Sequence, residues 1–395
     1  MSELISIDEG RRRVLQAVRP LTAEDVPLTE ALGRVLAEDL ESSIDVPPFD
    51  SSALDGFAVI AGPAAELAVV GESRAGHPAA ERLRPGAAIR ISTGAAIPAG
   101  TTAVVPVERS DAGANGRVRV QESREGDNIR RAGEDVPAGQ LVLRAGSRLG
   151  PAELGVAASL GRASLRCARR PRVAILATGD ELTDPGASLD AGRIYSSNAW
   201  ALAAQAARAG AVVVARETVR DEPDDTRSAL ARALDVGDVV IASGGVSVGP
   251  HDHVKPALAD LGAEERFWGV RLRPGKPTWF GTRGTTLAFG LPGNPVSAMV
   301  TFQLFVRPAL AALQGADPSA SRGYATLDVA VPRNPKREEA VRVRLSSAED
   351  GWHAVPTGPQ GSHVLTSMLG ADALARIEPG EGTVDAGDRV EVELL

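Results

Sequence analysis

The feature that most constrains the fold is an alternation of short apolar runs with amphipathic stretches between residues 171 and 315. "RVAILAT", "AVVVARETV", "DVVIAS", "EERFWGV" and "TTLAFG" read as strands; "NAWALAAQAARAG", "EPDDTRSALARAL", "HVKPALADLG" and "NPVSAMVTFQLFVRPALAAL" read as helices. Near-continuous apolar strands need cover on both faces, so this segment predicts a doubly wound α/β domain with a parallel sheet. The flanking texture differs. Residues 1–40 carry apolar positions at helical spacing between Pro20 and Pro27 and read as a helical lead-in. From about 45 to 145, β-branched runs broken by Gly and Pro, such as "TTAVVPVE" and "GRVRVQES", read as an all-β module. "GPAELGVAASLG" (150–161) reads as a helix returning to the first layer, and the runs after 320 read as a small β-barrel. The chain is therefore expected to be multidomain, α/β plus β modules.

Composition excludes several classes. With 395 residues, 43% hydrophobic and 24% charged, the chain reads as soluble and globular, and no apolar run suggests a membrane span. No secretory signal is visible, so a cytoplasmic location is expected. Fifty-one acids against 43 bases, a net charge of -8, argue against nucleic-acid binding. The single cysteine, Cys167, can form neither an internal disulfide nor a multi-thiolate metal site.

In an open α/β sheet, ligands bind outside the carboxyl ends of the strands. The loops expected there carry Asp180 and Glu181, Asn198, Asp221, Asp252, Arg273 and Lys276, and Gly293 and Asn294. Each has a plain reading as well: Asn198 is a natural helix cap, Asn294 before Pro295 a good one, Asp221 a capping acid, and His251 and His253 surface or cap residues. Their convergence on one rim, combining acids suited to Mg2+, bases and glycine-exposed amides, describes a site for a phosphorylated ligand. "SGGVSVGPHD" (243–252) belongs to this rim. It matches the G-x-S-x-G nucleophile elbow, with Ser247 as nucleophile, and equally a phosphate-binding glycine turn through Gly244, Gly245 and Gly249. The strand ends at Ala242, so the turn begins before Ser247 arrives. The downstream His353 and His363 fall in the carboxyl-terminal β segment, and both points favour the anion turn.

The ordered motifs "VPPFDSSALDGFAV", "STGAAIP", "NIRRAGEDV", "ATGDEL", "GRIYSSN", "SGGVSVGPHD", "RPGKP", "GLPGNPVSA" and "PQGSH" resemble those of the molybdenum insertases, the molybdopterin molybdenumtransferases that include the E domain of gephyrin. The resemblance covers nearly the whole chain. It implies a split helical domain (1–44 and 146–170), a β domain (45–145), an α/β molybdopterin-binding domain (171–318) and a carboxyl-terminal β-barrel (319–395). It further implies a homodimer with clefts shared between chains. The implied reaction joins molybdate to adenylylated molybdopterin, with Mg2+-dependent release of AMP. By motif, it places functional positions on Asp55, Thr93, Arg130, Arg131 and Asp135, and on Glu181, Asp221, Asp252, Arg273, Lys276, Pro292 and Pro295. Ser362 and Arg342 follow in the last domain. Glu181 and Asp221 are the implied metal holders, with Gly244, Gly245, Ser247 and Gly249 on the terminal phosphate. Ser51, Leu54, Phe57 and Arg273 depart from the family's usual residues; at Arg273 a point charge becomes a planar fork. Two rival classes remain: an insertase-like scaffold that binds a protein partner, and the sister adenylyltransferase, which lacks the two β modules.

Overall fold

Around the 171–315 segment, a computed structural model of the chain describes residues 4–246 and 252–395. Six strands form the central sheet: β1 (Arg172–Thr178), β2 (Val212–Val219), β3 (Val239–Ser243), β4 (Glu264–Trp268), β5 (Trp279–Arg283) and β6 (Thr286–Leu291). Their spatial order is β2-β1-β3-β6-β5-β4. The first four in that order are parallel, whereas β5 is antiparallel to both β6 and β4. The expected parallel sheet thus carries an unexpected antiparallel strand near one edge. Gly284, at φ +59°, opens the tight turn that folds β5 back onto β6.

The helices are α1 (Ser197–Arg208), α2 (Pro223–Val236), α3 (Val254–Asp260), α4 (Pro295–Thr301) and α5 (Arg307–Leu313), with a π-helical turn, Phe302–Val306, joining α4 to α5. Side chains alternate across a strand, and β1 shows the result. Ile175 enters one core with Leu202, Phe289 and Phe302; Ala174 and Leu176 enter the opposite core with Leu230, Leu234 and Leu258. Truncating such a residue, as in Leu176→Ala, costs about 2–5 kcal/mol. The stretch Pro295–Leu313 is long and apolar enough to cross a bilayer, but 83% of its apolar window is buried against these strands and helices.

The helical lead-in is corrected. Only Ile7–Ala17 is an α-helix, its amino end capped by Ser6, whose hydroxyl accepts from the Glu9 amide at 3.1 Å. Ile7 and Val14 join the core of α1 and α5, not that of the helix Pro151–Ser159. Past Pro20 the chain is extended. Ala23–Pro27 pairs antiparallel with Ser164–Ala168, and Leu36 and Leu40 share a core with Ala157, Leu160 and Cys167. Proline stops the first helix, and this pairing overrides the remaining helical spacing.

The β module is a six-stranded sheet in the order Ala103–Pro106, Gly56–Val59, Ala87–Ile91, Ala65–Ser73, Arg117–Val120, Ser110–Ala112. Beyond α5, Glu338–Ala348 pairs with Gly351–Pro356 on one side and with Ala373–Ile377 on the other, which closes the expected barrel. Leu272–Arg273, expected in a loop after an α/β strand, instead pairs parallel with Glu338 and Glu339 of this barrel.

Candidate active site

The order β2-β1-β3 makes the chain leave β1 toward opposite sides, so a crevice opens between the carboxyl ends of β1 and β3. Gly244 and Gly245 follow β3 at φ +96° and +64°. A Cβ on Gly244 would stand 2.7 Å from the Thr178 carbonyl oxygen, and one on Gly245 would stand 2.9 Å from Val254. Only glycine satisfies both the backbone and the space. The Gly244 amide donates to the Leu291 carbonyl at 3.0 Å, which removes it from the amides expected to face a phosphate. Ser247 and Gly249, with His251, lie outside the described residues. Trp268 donates from its indole to the Val246 carbonyl at 3.0 Å and so fixes where that loop begins.

Asn198 is not the helix cap its sequence position suggests. It lies inside α1 and donates to the Ser243 hydroxyl at 2.9 Å and to the Gly293 carbonyl at 2.7 Å. Ser243 donates onward to the Pro292 carbonyl at 3.1 Å. Together these bonds tie three loops of the rim. Asn294 does stand at the cap position of α4, with Pro295 at its first turn, but its side chain donates to the Ser362 hydroxyl at 3.2 Å. Ser362 therefore reaches the rim from the barrel. Ser243 and Thr178 escaped the sequence reading; their signal was a polar residue ending an apolar strand.

Acids gather on the same rim. Register pairs Thr178 of β1 with Val219 of β2, so the residues just past each strand, Asp180 and Glu181 on one side and Asp221 on the other, become neighbours. The Asp221 amide donates to the Asp180 carboxylate at 3.2 Å. Burial, then the charges of Glu181 and Asp180, push the Asp221 carboxyl above its ordinary range. His253 works against this rise, which puts that side chain within electrostatic reach of the site. The Glu181 carboxylate folds back over Gly179, where a Cβ would stand 2.5 Å away. Asp252 is half-buried at the far end of the glycine loop.

Of the bases, Lys276 is exposed, while Arg273 forms an ion pair with Glu339 of the barrel at 2.9 Å. Arg273 is thereby oriented from the barrel side, with part of its fork already occupied. Arg342, an implied site position, acts within the chain as an internal support. Fully buried, it donates to the Ser367 hydroxyl and to the Pro359 and Gly361 carbonyls, and so holds the loop that carries Ser362. Burial lowers its pKa to about 10.

A second group forms on the β module. The Asp55 carboxylate accepts from the Thr93 amide at 2.6 Å and the Thr93 hydroxyl at 2.9 Å, and these bonds hold it below the usual carboxylate range. Arg131 pairs with Asp50 at 2.7 Å, and the Ala132 amide donates to the same carboxylate. Arg130 pairs with Ser51 across a short ladder, while the Asp135 amide donates to the Val46 carbonyl, so three separated motifs share one surface. Among the described residues, no hydrogen bond or ion pair links Asp55, Thr93, Arg131 or Asp135 to Glu181, Asp221, Arg273 or Lys276.

Three families match along the chain: the MoeA N-terminal region (domain I and II) at residues 5–161, a probable molybdopterin binding domain at 174–312, and the MoeA C-terminal region (domain IV) at 324–395. The molybdopterin molybdenumtransferase of Haemophilus influenzae is 36% identical over 400 residues, covering 99% of this chain and 98% of the relative. Molybdopterin molybdenumtransferase 2 of Mycobacterium tuberculosis is 38% identical over 403 residues, covering 98% of each. A solved molybdopterin biosynthesis moeA protein from Pyrococcus horikoshii OT3 superposes with a TM-score of 0.85 at 29% identity, covering 100% of both chains. With family matches running from residue 5 to residue 395 and full-length relatives at these identities, the chain belongs to the molybdopterin molybdenumtransferase family, enzymes of molybdenum cofactor biosynthesis.

Proposed function

We propose that the protein inserts molybdate into adenylylated molybdopterin, with Mg2+-dependent cleavage of the phosphoanhydride and release of AMP. The observation that carries this reading is the meeting of Asp221 with Asp180 and Glu181 at the carboxyl ends of β1 and β2, beside the glycine turn, where the Asp221 amide bonds the Asp180 carboxylate. Repelling carboxylates at the end of a parallel sheet suit a divalent cation. Among the described residues no group of three or more His, Cys, Asp or Glu forms a metal cage. That is compatible with Mg2+, which commonly takes one or two carboxylates together with substrate phosphates and water. Glu181 and Asp221 would hold the ion, whose chemistry when bound is to polarise a phosphoryl oxygen and screen its charge.

The remaining residues act on the substrates directly. Lys276 and the free part of the Arg273 fork supply positive charge for molybdate or for the departing phosphate. Ser362, held by Asn294, presents a hydroxyl at the rim. Asp252, at the end of the glycine loop, would approach the same substrate, and Gly245, Ser247 and Gly249 would admit the pterin's terminal phosphate. Pro292 and Pro295 shape the wall. Asp55, kept ionised by Thr93, accepts hydrogen bonds from substrate, with Asp135 and Arg131 beside it. Because among the described residues this second group has no polar link to the rim, we infer a homodimer in which the β module of one protomer faces the rim of its partner. The cytoplasm is the compartment proposed for this reaction.

Purified protein supplied with Mg2+, molybdate and adenylylated molybdopterin is expected to release AMP, measured by chromatography. Glu181→Ala and Asp221→Ala are expected to slow release by about a hundredfold. Unchanged turnover in both variants would sink the site assignment. An inert wild type that binds a cellular protein tightly would favour the scaffold reading.

A further inference from the structure

At the opposite ends of α1 and α4 from the rim lies a cavity of about 410 Å³, within the size range of small-molecule sites. Three guanidinium groups line it, those of Arg148, Arg208 and Arg307, and among the described residues no Asp or Glu side chain does, while Leu395, the last residue, also lines it. Among the described residues none of the three forms an ion pair with a carboxylate side chain. Arg148 donates to the Gly33 carbonyl, Arg208 to the Leu395 backbone oxygen, and Arg307 to the Pro318 carbonyl. Glu393, the buried carboxylate behind the cavity, is already bonded by Arg11 at 2.6 Å and paired with Arg322 at 3.3 Å. Positive charge is thus in excess over carboxylate side chains here, on a wall where Arg307 is half-buried and Arg148 and Arg208 are exposed.

Two further observations mark the cavity as more than a packing gap. The Arg307 Nε donor and the Gln205 Oε1 acceptor, both on lining residues, are buried without partners. Buried polar atoms are ordinarily satisfied, so each is short of a complementary group. The wall also includes Phe302 and Gln303 from the π-helical turn, a backbone irregularity common at functional sites, and beside them lie Met299 and Met368. Guanidinium groups recognise tetrahedral oxyanions, and a polarizable Met and Phe wall accepts a flat apolar group.

We propose that this cavity binds a small phosphorylated molecule at a site separate from the candidate active site. The probes are inorganic phosphate and AMP, titrated calorimetrically into the full-length protein. Arg148 and Arg208 are exposed, so Arg148→Met and Arg208→Met should fold with wild-type melting temperatures. The expected result is saturable binding that weakens about tenfold in each variant. Tighter binding of AMP than of phosphate would identify an organic phosphate whose apolar part rests on Phe302; equal binding would identify a free oxyanion. Any AMP bound at the rim would be untouched by these substitutions, so binding unchanged in both variants overturns the proposal. Absence of saturable binding by either probe does so too. A change of oligomeric state in the variants, read by light scattering, would assign the arginines to a second copy of the chain and also overturn it.

Discussion

Asp55 and Asp221 carry the same side chain into opposite surroundings. Asp55 stands exposed on the β module, where the amide and hydroxyl of one residue, Thr93, bond its charge and lower its pKa. Asp221 sits partly buried on the α/β rim beside two other acids, and its pKa rises. The β module therefore offers a carboxylate stabilised in advance, and the rim offers one destabilised until a cation or a proton arrives. Substrate binding has different work to do at each: the first group needs only to be met, whereas the second gains most when its repulsion is relieved.

The largest test of the contrast asks whether the two groups meet across a dimer. Asp55→Ala and Asp221→Ala should each slow AMP release by about a hundredfold, and refolding them together should restore about a quarter of wild-type activity, because half the dimers then hold one intact shared cleft. No recovery, with mixed dimers verified by mass, would place both groups in a single-chain site or rule out the shared cleft.

Next in size are the glycines that shape each half. Gly244→Ala imposes both a strained φ and a contact 2.7 Å from the Thr178 carbonyl oxygen, so a loss of about 3 kcal/mol is expected by chemical denaturation. Gly94, next to Thr93, has φ +76° but open space around its Cβ position, and Gly94→Ala should cost only about 1 kcal/mol. Equal losses would show that the rim is no more tightly packed than the β-module loop.

The smallest effects carry the sign of the comparison. Asp221→Asn removes a repelling charge and should raise stability near neutral pH by about 0.5 kcal/mol or less after solvent screening, while turnover falls. Asp55→Asn should lower stability. The pH dependence follows from the shifts. The stabilisation from Asp55 is present above the ordinary carboxylate value of 3.8 and is lost as pH falls through its lower folded pKa. At Asp221 the native state binds its proton more tightly, so stability falls as pH rises from 3.8 through the raised folded pKa. Melting curves across this range for the two variants should diverge in opposite directions. A third group lies far from both: His353 is clamped between Asp328 at 2.6 Å and Asp350 at 2.8 Å, and its pKa is raised. Its contribution is full below 6.5 and is lost as pH rises through its folded value, a dependence that His353→Gln should erase.

Much of the site was legible before any coordinates. Gly244 and Gly245 sit where a strand must turn sharply, and polar residues clustered after each apolar run because that rim is where such sheets bind ligands. What misled was local. Asn198 and Asn294 both look like helix caps, yet both side chains bond across loops from other elements, a choice set by neighbours distant in sequence. Arg342 is placed by motif alone, and only barrel closure reveals that it points inward to hold the Pro359 and Gly361 carbonyls. The lead-in misled for the same reason: its apolar spacing suits a helix, but pairing with Ser164–Ala168, more than a hundred residues away, makes part of it a strand.

By itself the sequence determined the periods, the breaks and the chemistry available: apolar runs that had to be buried strands, glycines that had to be turns, and acids and bases held in reserve at their ends. Those are consequences of local sterics and of the hydrophobic pattern. Tertiary structure decided which of those groups became neighbours. The register of β1 against β2 sets Asp221 beside Asp180 and Glu181, and a bond between loops sets Asp55 on Thr93. Proximity, burial and shared hydrogen bonds then gave two chemically identical aspartates opposite proton affinities, because a pKa belongs to a charge in its surroundings and not to a residue type.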